Sequence, residues 1–163
     1  MKFLTLISIY LFLNTTVMAK EIKTQIVINA SPEKVWAVLA EIENYPQWNT
    51  FITSISGELS KGNKIMVNIA PPDAKPMKFK PKVLVYEENK EIRWLGKLIL
   101  PRLFDGEHIF ELIDNGDGTT TFVHREIFKG LLVPFLKKML DNNTRHGFIE
   151  MNKNLKERVE MAS

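Results

Sequence analysis

Apolar residues recur at two spacings along the chain. Between residues 22 and 129 they alternate with polar residues in short runs, and beyond residue 130 they return every third or fourth position. The first period belongs to half-buried strands and the second to an amphipathic helix. Ile22, Ile26 and Ile28 share one face of a strand over 22–29. Ser31-Pro32-Glu33 then opens a helix. Ser31 is a capping residue, Pro32 suits the first helical position and Glu33 sits at the positive helix end. Val35, Trp36, Val38, Leu39 and Ile42 give it an apolar side. Pro46 is expected to break it at Asn44-Tyr45-Pro46, because the residue before a proline disfavours helix.

Strands are predicted over 51–59, 63–70, 77–88, 91–99, 104–114 and 119–129. Turns fall at Lys61-Gly62-Asn63, Glu88-Asn89-Lys90 and Asn115-Gly116-Asp117-Gly118. Connections this short imply an antiparallel meander. Pro81 places the 77–88 strand at an edge or a bulge, since proline donates no ladder hydrogen bond. A last helix is predicted over 131–160. Its apolar positions form two blocks, Leu131 to Leu140 and Phe148 to Val159, pointing about a third of a turn apart. Gly147 is the expected bend between them. This order describes an α+β domain whose sheet, curving around one long helix, leaves an apolar hollow.

The N-terminus departs from these patterns. Lys2 precedes an apolar run from Phe3 to Leu13, then Asn14, Thr15 and Thr16, then Val17-Met18-Ala19. That is the order of a secretory signal, with Val17 and Ala19 at the small-residue positions before the cut. The run is shorter than the about 20 apolar residues a bilayer span needs. Cleavage is expected between Ala19 and Lys20. It divides the chain into a signal peptide, residues 1–19, and a secreted or periplasmic domain, residues 20–163.

Composition narrows the chemistry. The 163 residues are 45% hydrophobic and 25% charged, which suits one folded domain. With no cysteine, the chain has no disulfide scaffold, zinc-thiolate site, iron–sulfur cluster or thiol nucleophile. The net charge of +3 falls to +2 when Lys2 leaves with the signal, so nucleic acid is not expected as a partner. Lys75, Lys78, Lys80 and Lys82 surround Met77 and Phe79, and alternation puts Lys78, Lys80 and Lys82 on one strand face. Lysines protect an edge strand. The same face offers transient contact with an anionic membrane.

Several stretches carry a family resemblance. They are Ala30-Ser31-Pro32-Glu33-Lys34-Val35-Trp36, Tyr45-Pro46-Gln47-Trp48-Asn49-Thr50-Phe51, and Gly106-Glu107-His108-Ile109-Phe110. His124-Arg125-Glu126-Ile127-Phe128-Lys129-Gly130 and Asn143-Thr144-Arg145-His146-Gly147-Phe148 follow, with Met151-Asn152 and Leu155-Lys156. In this order and spacing, over roughly residues 22–160, they resemble the SRPBCC superfamily of START domains, birch-pollen-type allergens and polyketide cyclases. The last three stretches resemble its bacterial SRPBCC domain-containing subgroup. Thr50 departs from the proline more usual in the second stretch. The resemblance implies a helix-grip fold: a seven-stranded curved antiparallel sheet around a long C-terminal helix, with short helices after the first strand. It also implies a deep cavity for lipids, sterols, polyketides or similar molecules. It does not fix a reaction, because the superfamily mixes carriers and cyclases.

The candidate site follows from strand alternation. Gly106, His108, Phe110 and Leu112 share one face, and Phe122, His124, Glu126 and Phe128 share another. A turn centred between residues 116 and 117 pairs residue 108 with residue 125, bringing His108 beside His124 or Glu126. The favoured reading is a hydrogen-bonded polar patch that anchors a ligand's head group or merely satisfies itself. A sharper one is proton transfer, a carboxylate orienting a histidine general base. A third is a metal held by two histidines and a glutamate. Trp94, with Gly96 leaving room beside it, Phe110, Phe122, Leu132, Phe135, Leu136 and Met139 are the candidate apolar walls. Trp36 and Trp48 read as packing residues. Arg145 reads as a solvated helix residue, or as a clamp for a ligand carboxylate. No phosphate loop, nucleophile elbow, H-E-x-x-H or Rossmann fingerprint is present, and no cofactor or metal is expected. The chain is read as an extracytoplasmic binding or carrier protein for a small hydrophobic ligand. The alternatives are a cyclase, dehydratase or isomerase acting on a hydrophobic carbonyl compound, and an interaction module docking through the lysine-rich strand.

Overall fold

The computed structural model describes residues 19–98 and 100–161. The expected signal peptide, except for Ala19, lies outside the described residues. Strand β1 (Ala19–Ile28) leads into α1 (Pro32–Ala40), a 3₁₀ turn (Ile42–Asn44) and α2 (Tyr45–Trp48). Seven more strands follow: β2 (Ile52–Ser56), β3 (Met66–Ile69), β4 (Met77–Phe79), β5 (Lys82–Glu87), β6 (Glu91–Leu98), β7 (Phe104–Asp114) and β8 (Thr120–Lys129). The chain closes with α3 (Val133–Met139), a π turn (Leu140–Thr144) and α4 (Arg145–Met161). This is an α+β arrangement in which a long C-terminal helix lies over curved antiparallel sheet, as in helix-grip folds.

The sheet is divided where a single seven-stranded one was expected. Five strands pair in the order β1-β8-β7-β6-β5, and three in the order β2-β3-β4. The division comes from Lys80-Pro81, which splits the predicted 77–88 strand into β4 of one sheet and β5 of the other. Pro81 has no N–H to continue the ladder, and its carbonyl accepts instead from Ile65 N at 3.1 Å. Residues 62–65 run beside the start of β5 through Val83 N to Asn63 O (2.9 Å) and Gly62 N to Val83 O (2.9 Å), joining the two sheets. Lys78 and Lys82 therefore belong to different strands, and the single lysine face does not form.

Two helical expectations also change. The first helix stops at Glu41 (φ −82°, ψ 66°), and Tyr45 begins α2 in helical conformation (φ −51°, ψ −42°) although Pro46 follows it. Proline is tolerated there because first-turn N–H groups have no helical partner. Tyr45 is fixed by its buried hydroxyl, which donates to Leu39 O at 2.8 Å. In the last helix the irregularity is the π turn over Leu140–Thr144 rather than a bend at Gly147. Gly147 lies inside α4, where a Cβ would overlap the Phe51 ring. Its function is close packing.

Beyond the π turn, α4 buries Phe148, Met151, Asn152, Leu155 and Val159 against β1, β8 and α1. Ile22, Ile28, Val35, Leu39 and Phe122 complete that part of the core. Burying each such side chain contributes about 1.5–3 kcal/mol.

Candidate functional site

Hairpin register sets the site. The β7–β8 loop holds residues 115–119, closed by Asn115 N to Thr119 O at 3.1 Å, so the last strand pair is Asp114 with Thr120. One loop residue more than the predicted turn shifts the register by one. His108 thus lies opposite Glu126, and Phe110 opposite His124. His124 is in turn opposite Thr24 on β1.

These residues form one hydrogen-bonded chain, and its donor directions can be assigned. Thr24 Oγ1 donates to the His124 carbonyl at 3.4 Å and accepts from Asn152 Nδ2 at 3.0 Å. Asn152 therefore presents Oδ1 to His124 Nδ1 at 3.0 Å, so that nitrogen carries hydrogen. Burial, and then the charge of His108, hold the His124 pKa well below the ordinary 6.5, while the Asn152 hydrogen bond opposes them. His124 is neutral, and its bare Nε2 accepts from His108 Nε2–H across 3.0 Å. His108 Nδ1 then faces Glu126 Oε2 at 3.2 Å. Aromatic rings lock the two histidines. Trp94 stacks on His108 (4.9 Å, 10°) and Phe148 on His124 (3.6 Å, 16°).

A cavity of about 100 Å³ opens against the His108 end of this chain. Phe51, Val67, Ile69, Phe79, Phe104 and Phe128 line it, and His108, Glu126 and Trp94 form its polar side. Two glycines, paired across β6 and β7, make the room. A Cβ on Gly96 would meet the Phe79 ring at 3.2 Å, and one on Gly106 would overlap the Glu126 carboxylate. Trp94 Nε1 is buried without a hydrogen-bond partner among the described residues, so it offers a donor. Met77 and Met139 line the cavity and also reach solvent, marking its mouth. The π turn supplies Leu140, Asn143 and Thr144, with Asn143 Nδ2 held on Pro72 O at 2.6 Å.

The structure brings Trp94, His108, Glu126 and Met139 together around the cavity, with His124 directly behind His108. Phe110 and Phe122 are buried behind the wall rather than lining it. Leu132 and Leu136 pack against the core away from the cavity, and Phe135 is 83% exposed. Arg145 donates to Lys23 O at 3.2 Å, and exposed His146 lies 3.5 Å from Glu150. Among the described residues no three His, Asp or Glu side chains are placed to hold a metal ion. The two-histidine alternative fails because every ring nitrogen of His108 and His124 already faces a partner. Sequence reasoning missed Asn152, whose signal was a polar residue within the apolar stripe Phe148, Met151, Leu155, Val159. It also missed the walls from β2 to β4, whose alternation gave the face but not the packing partner.

Residues 19–160 match the profile of a family described as polyketide cyclase / dehydrase and lipid transport. Among solved structures, norcoclaurine synthase of Thalictrum flavum, a point mutant with a transition-state analogue, superposes with a TM-score of 0.70 at 15% identity. That match covers 91% of this chain and 99% of the other. The Zhui aromatase/cyclase from Streptomyces sp. R1128 gives 0.71 at 11% identity, covering 88% and 94%. A START superfamily protein from Mycobacterium smegmatis gives 0.65 at 22% identity, covering 88% and 99%. At these identities the likeness is one of fold. No curated protein matches the chain significantly.

Proposed function

The chain belongs to the polyketide cyclase / dehydrase and lipid transport family, within the START-like SRPBCC superfamily, and from that premise we propose that it binds a small hydrophobic ligand in the cavity over β6–β8. The observation that carries the reading is a largely apolar hollow with His108 and Glu126 together on one wall, beneath Trp94. Its volume of about 100 Å³ is below the roughly 150 Å³ of an engineered cavity that accepts benzene. The enclosed part of the ligand is therefore at most one small ring or a short branch, and a larger lipid, sterol or polyketide would extend past Met77 and Met139. Burying one aromatic ring contributes roughly 4 kcal/mol, the strength of a millimolar complex. The polar wall and the mouth supply whatever affinity lies beyond that. A donor on the ligand meets the Glu126 carboxylate, and an acceptor meets Trp94 Nε1–H.

Titration with 4-ethylphenol and ethylbenzene, followed by NMR, tests the reading. The expected result is saturable binding of both, tighter for the phenol, and its loss in Ile69→Trp, which fills the hollow. No saturable shift with either molecule would overturn it. The proposed setting is the periplasm or cell exterior after cleavage between Ala19 and Lys20. An intact mass beginning at Lys20 supports this, and one that retains residues 1–19 contradicts it.

A second reading, acid–base catalysis on a hydrophobic carbonyl compound, is favoured by one observation. The Thr24–Asn152–His124 chain orients His108 so that its Nδ1 faces Glu126 Oε2 at the cavity wall. Such a pair can take a proton from the carbon beside a carbonyl and return it. Deuterium exchange into 1-phenylpropan-2-one, faster than in buffer and abolished by His108→Gln, is the expected result. Exchange at the buffer rate removes this reading and leaves ligand binding standing.

A further inference from the structure

Four apolar side chains reach solvent at one end of the molecule. Phe135 is 83% exposed, Leu100 63%, Leu131 56% and Met139 37%. Phe135 and Met139 lie one turn apart on α3, and Leu131 lies in the turn that leads into it. Leu100 joins them because the 100–103 turn is bonded to the chain entering α3. Leu131 N donates to Arg102 O at 3.1 Å and Leu132 N to Leu103 O at 3.0 Å.

Cations surround this ridge. Lys97, Arg102, Lys129, Lys137 and Lys138 are exposed, and none of them forms an ion pair among the described residues. Lys97, Asp105, Lys129 and Ala19 are cross-strand partners in one row at this end of the sheet. Asp105 accepts from Arg102 N at 3.2 Å, and Asp141 pairs with Lys20 at 2.6 Å.

Two further observations point outward from the same end. Met139 belongs both to the ridge and to the cavity mouth. Ala19, where β1 begins, lies beside Val133, Pro134 and Lys137, so the apolar run Phe3–Leu13 precedes this same corner in the sequence.

We propose that this end of the molecule docks on an anionic phospholipid bilayer, with the Leu131–Phe135–Met139 ridge and Leu100 entering the headgroup region. Aromatic and aliphatic side chains settle at the boundary of headgroups and acyl chains, while lysines and arginines hold the phosphates. The cavity mouth then faces the lipid. The surface differs from the 78–82 lysines considered from sequence, and it stands whether or not the cavity binds the ligand proposed above.

The test uses the full chain carrying Phe135→Trp, with vesicles of phosphatidylcholine and phosphatidylglycerol at four to one, or of phosphatidylcholine alone. Trp36, Trp48 and Trp94 are buried, so the added indole reports the ridge. Brominated acyl chains should quench that indole in the anionic vesicles and not in the neutral ones. Lys137→Glu should weaken partitioning on the order of fivefold, and Leu131→Ser with Phe135→Ser on the order of tenfold or more, with the far-ultraviolet circular dichroism unchanged. Absence of quenching, equal binding to neutral vesicles, or full binding by the double serine variant would overturn the proposal. So would a dimer abolished by those serines, which would assign the ridge to a second copy of the chain.

Discussion

The β7–β8 hairpin is filled at its turn end and hollow at the other. Toward the turn, Leu112 faces Phe122 and Phe110 faces His124, beneath Phe148 stacked at 3.6 Å. Thr120 Oγ1 donates to Ala30 O at 2.7 Å, and both His124 nitrogens are bonded. At the far end Gly106 faces Phe128, the helix above has widened into the π turn, and Trp94 Nε1 has no partner among the described residues. His108 stands at the boundary, bonded to His124 on the filled side and to Glu126 on the hollow side. The contrast teaches that the sealed core does more than stabilise. It fixes the tautomer of His124, and through it the orientation of His108 beside Glu126 at the cavity.

The largest expected difference is in stability. Phe148→Ala should lower the unfolding free energy by about 3–5 kcal/mol. Phe79→Ala, on the half-buried cavity wall, should cost about 1 kcal/mol. Equal costs in urea titrations would break the comparison. Glycine substitutions sharpen it. Gly147→Ala drives a methyl into the Phe51 ring within the packed core, and overpacking there should cost about 1–3 kcal/mol. Gly106→Ala meets the flexible end of Glu126. It should change stability by less than about 1 kcal/mol while displacing Glu126 and weakening 4-ethylphenol binding.

The smallest effect is a pH dependence. Folding holds the His124 pKa well below 6.5, so between that value and the lower native one the unfolded chain binds a proton that the native protein does not. The contribution of His124 to stability is fully present above about pH 6.5. It falls by about 1.4 kcal/mol per pH unit as the pH drops toward the native pKa. Subtracting the stability profile of His124→Gln from that of the native chain should isolate this slope. A flat difference would show that His124 titrates normally.

Local patterns in the sequence carried the hairpin, because alternation puts His108, His124 and Glu126 on inward faces whatever the tertiary context. The pairing slipped by one because Asn115 and Thr119 close a loop one residue longer than the glycine pattern suggests. The split at Lys80-Pro81 was not legible, since a proline in a strand pattern fits an edge, a bulge or a change of sheet equally well. The same limit explains the helix residues. Leu132, Phe135 and Leu136 have the apolar spacing of cavity walls, but the π turn sets α3 and α4 on different faces, and no residue pattern announces a π turn. Walls such as Val67, Ile69 and Phe79 belong to the second sheet, and their place depends on which strands it contains.

The central claim is that the cavity meets its ligand at His108, with His124 sealed behind. Nitrogen-15 NMR of the three imidazole rings, recorded before and after adding 4-ethylphenol, tests it most directly, with exposed His146 as the internal control. The account predicts that His124 carries hydrogen on Nδ1 throughout, that the His108 resonances move with saturation, and that His146 stays still. Unchanged His108 resonances at saturating ligand, or a His124 ring protonated on Nε2, would contradict it.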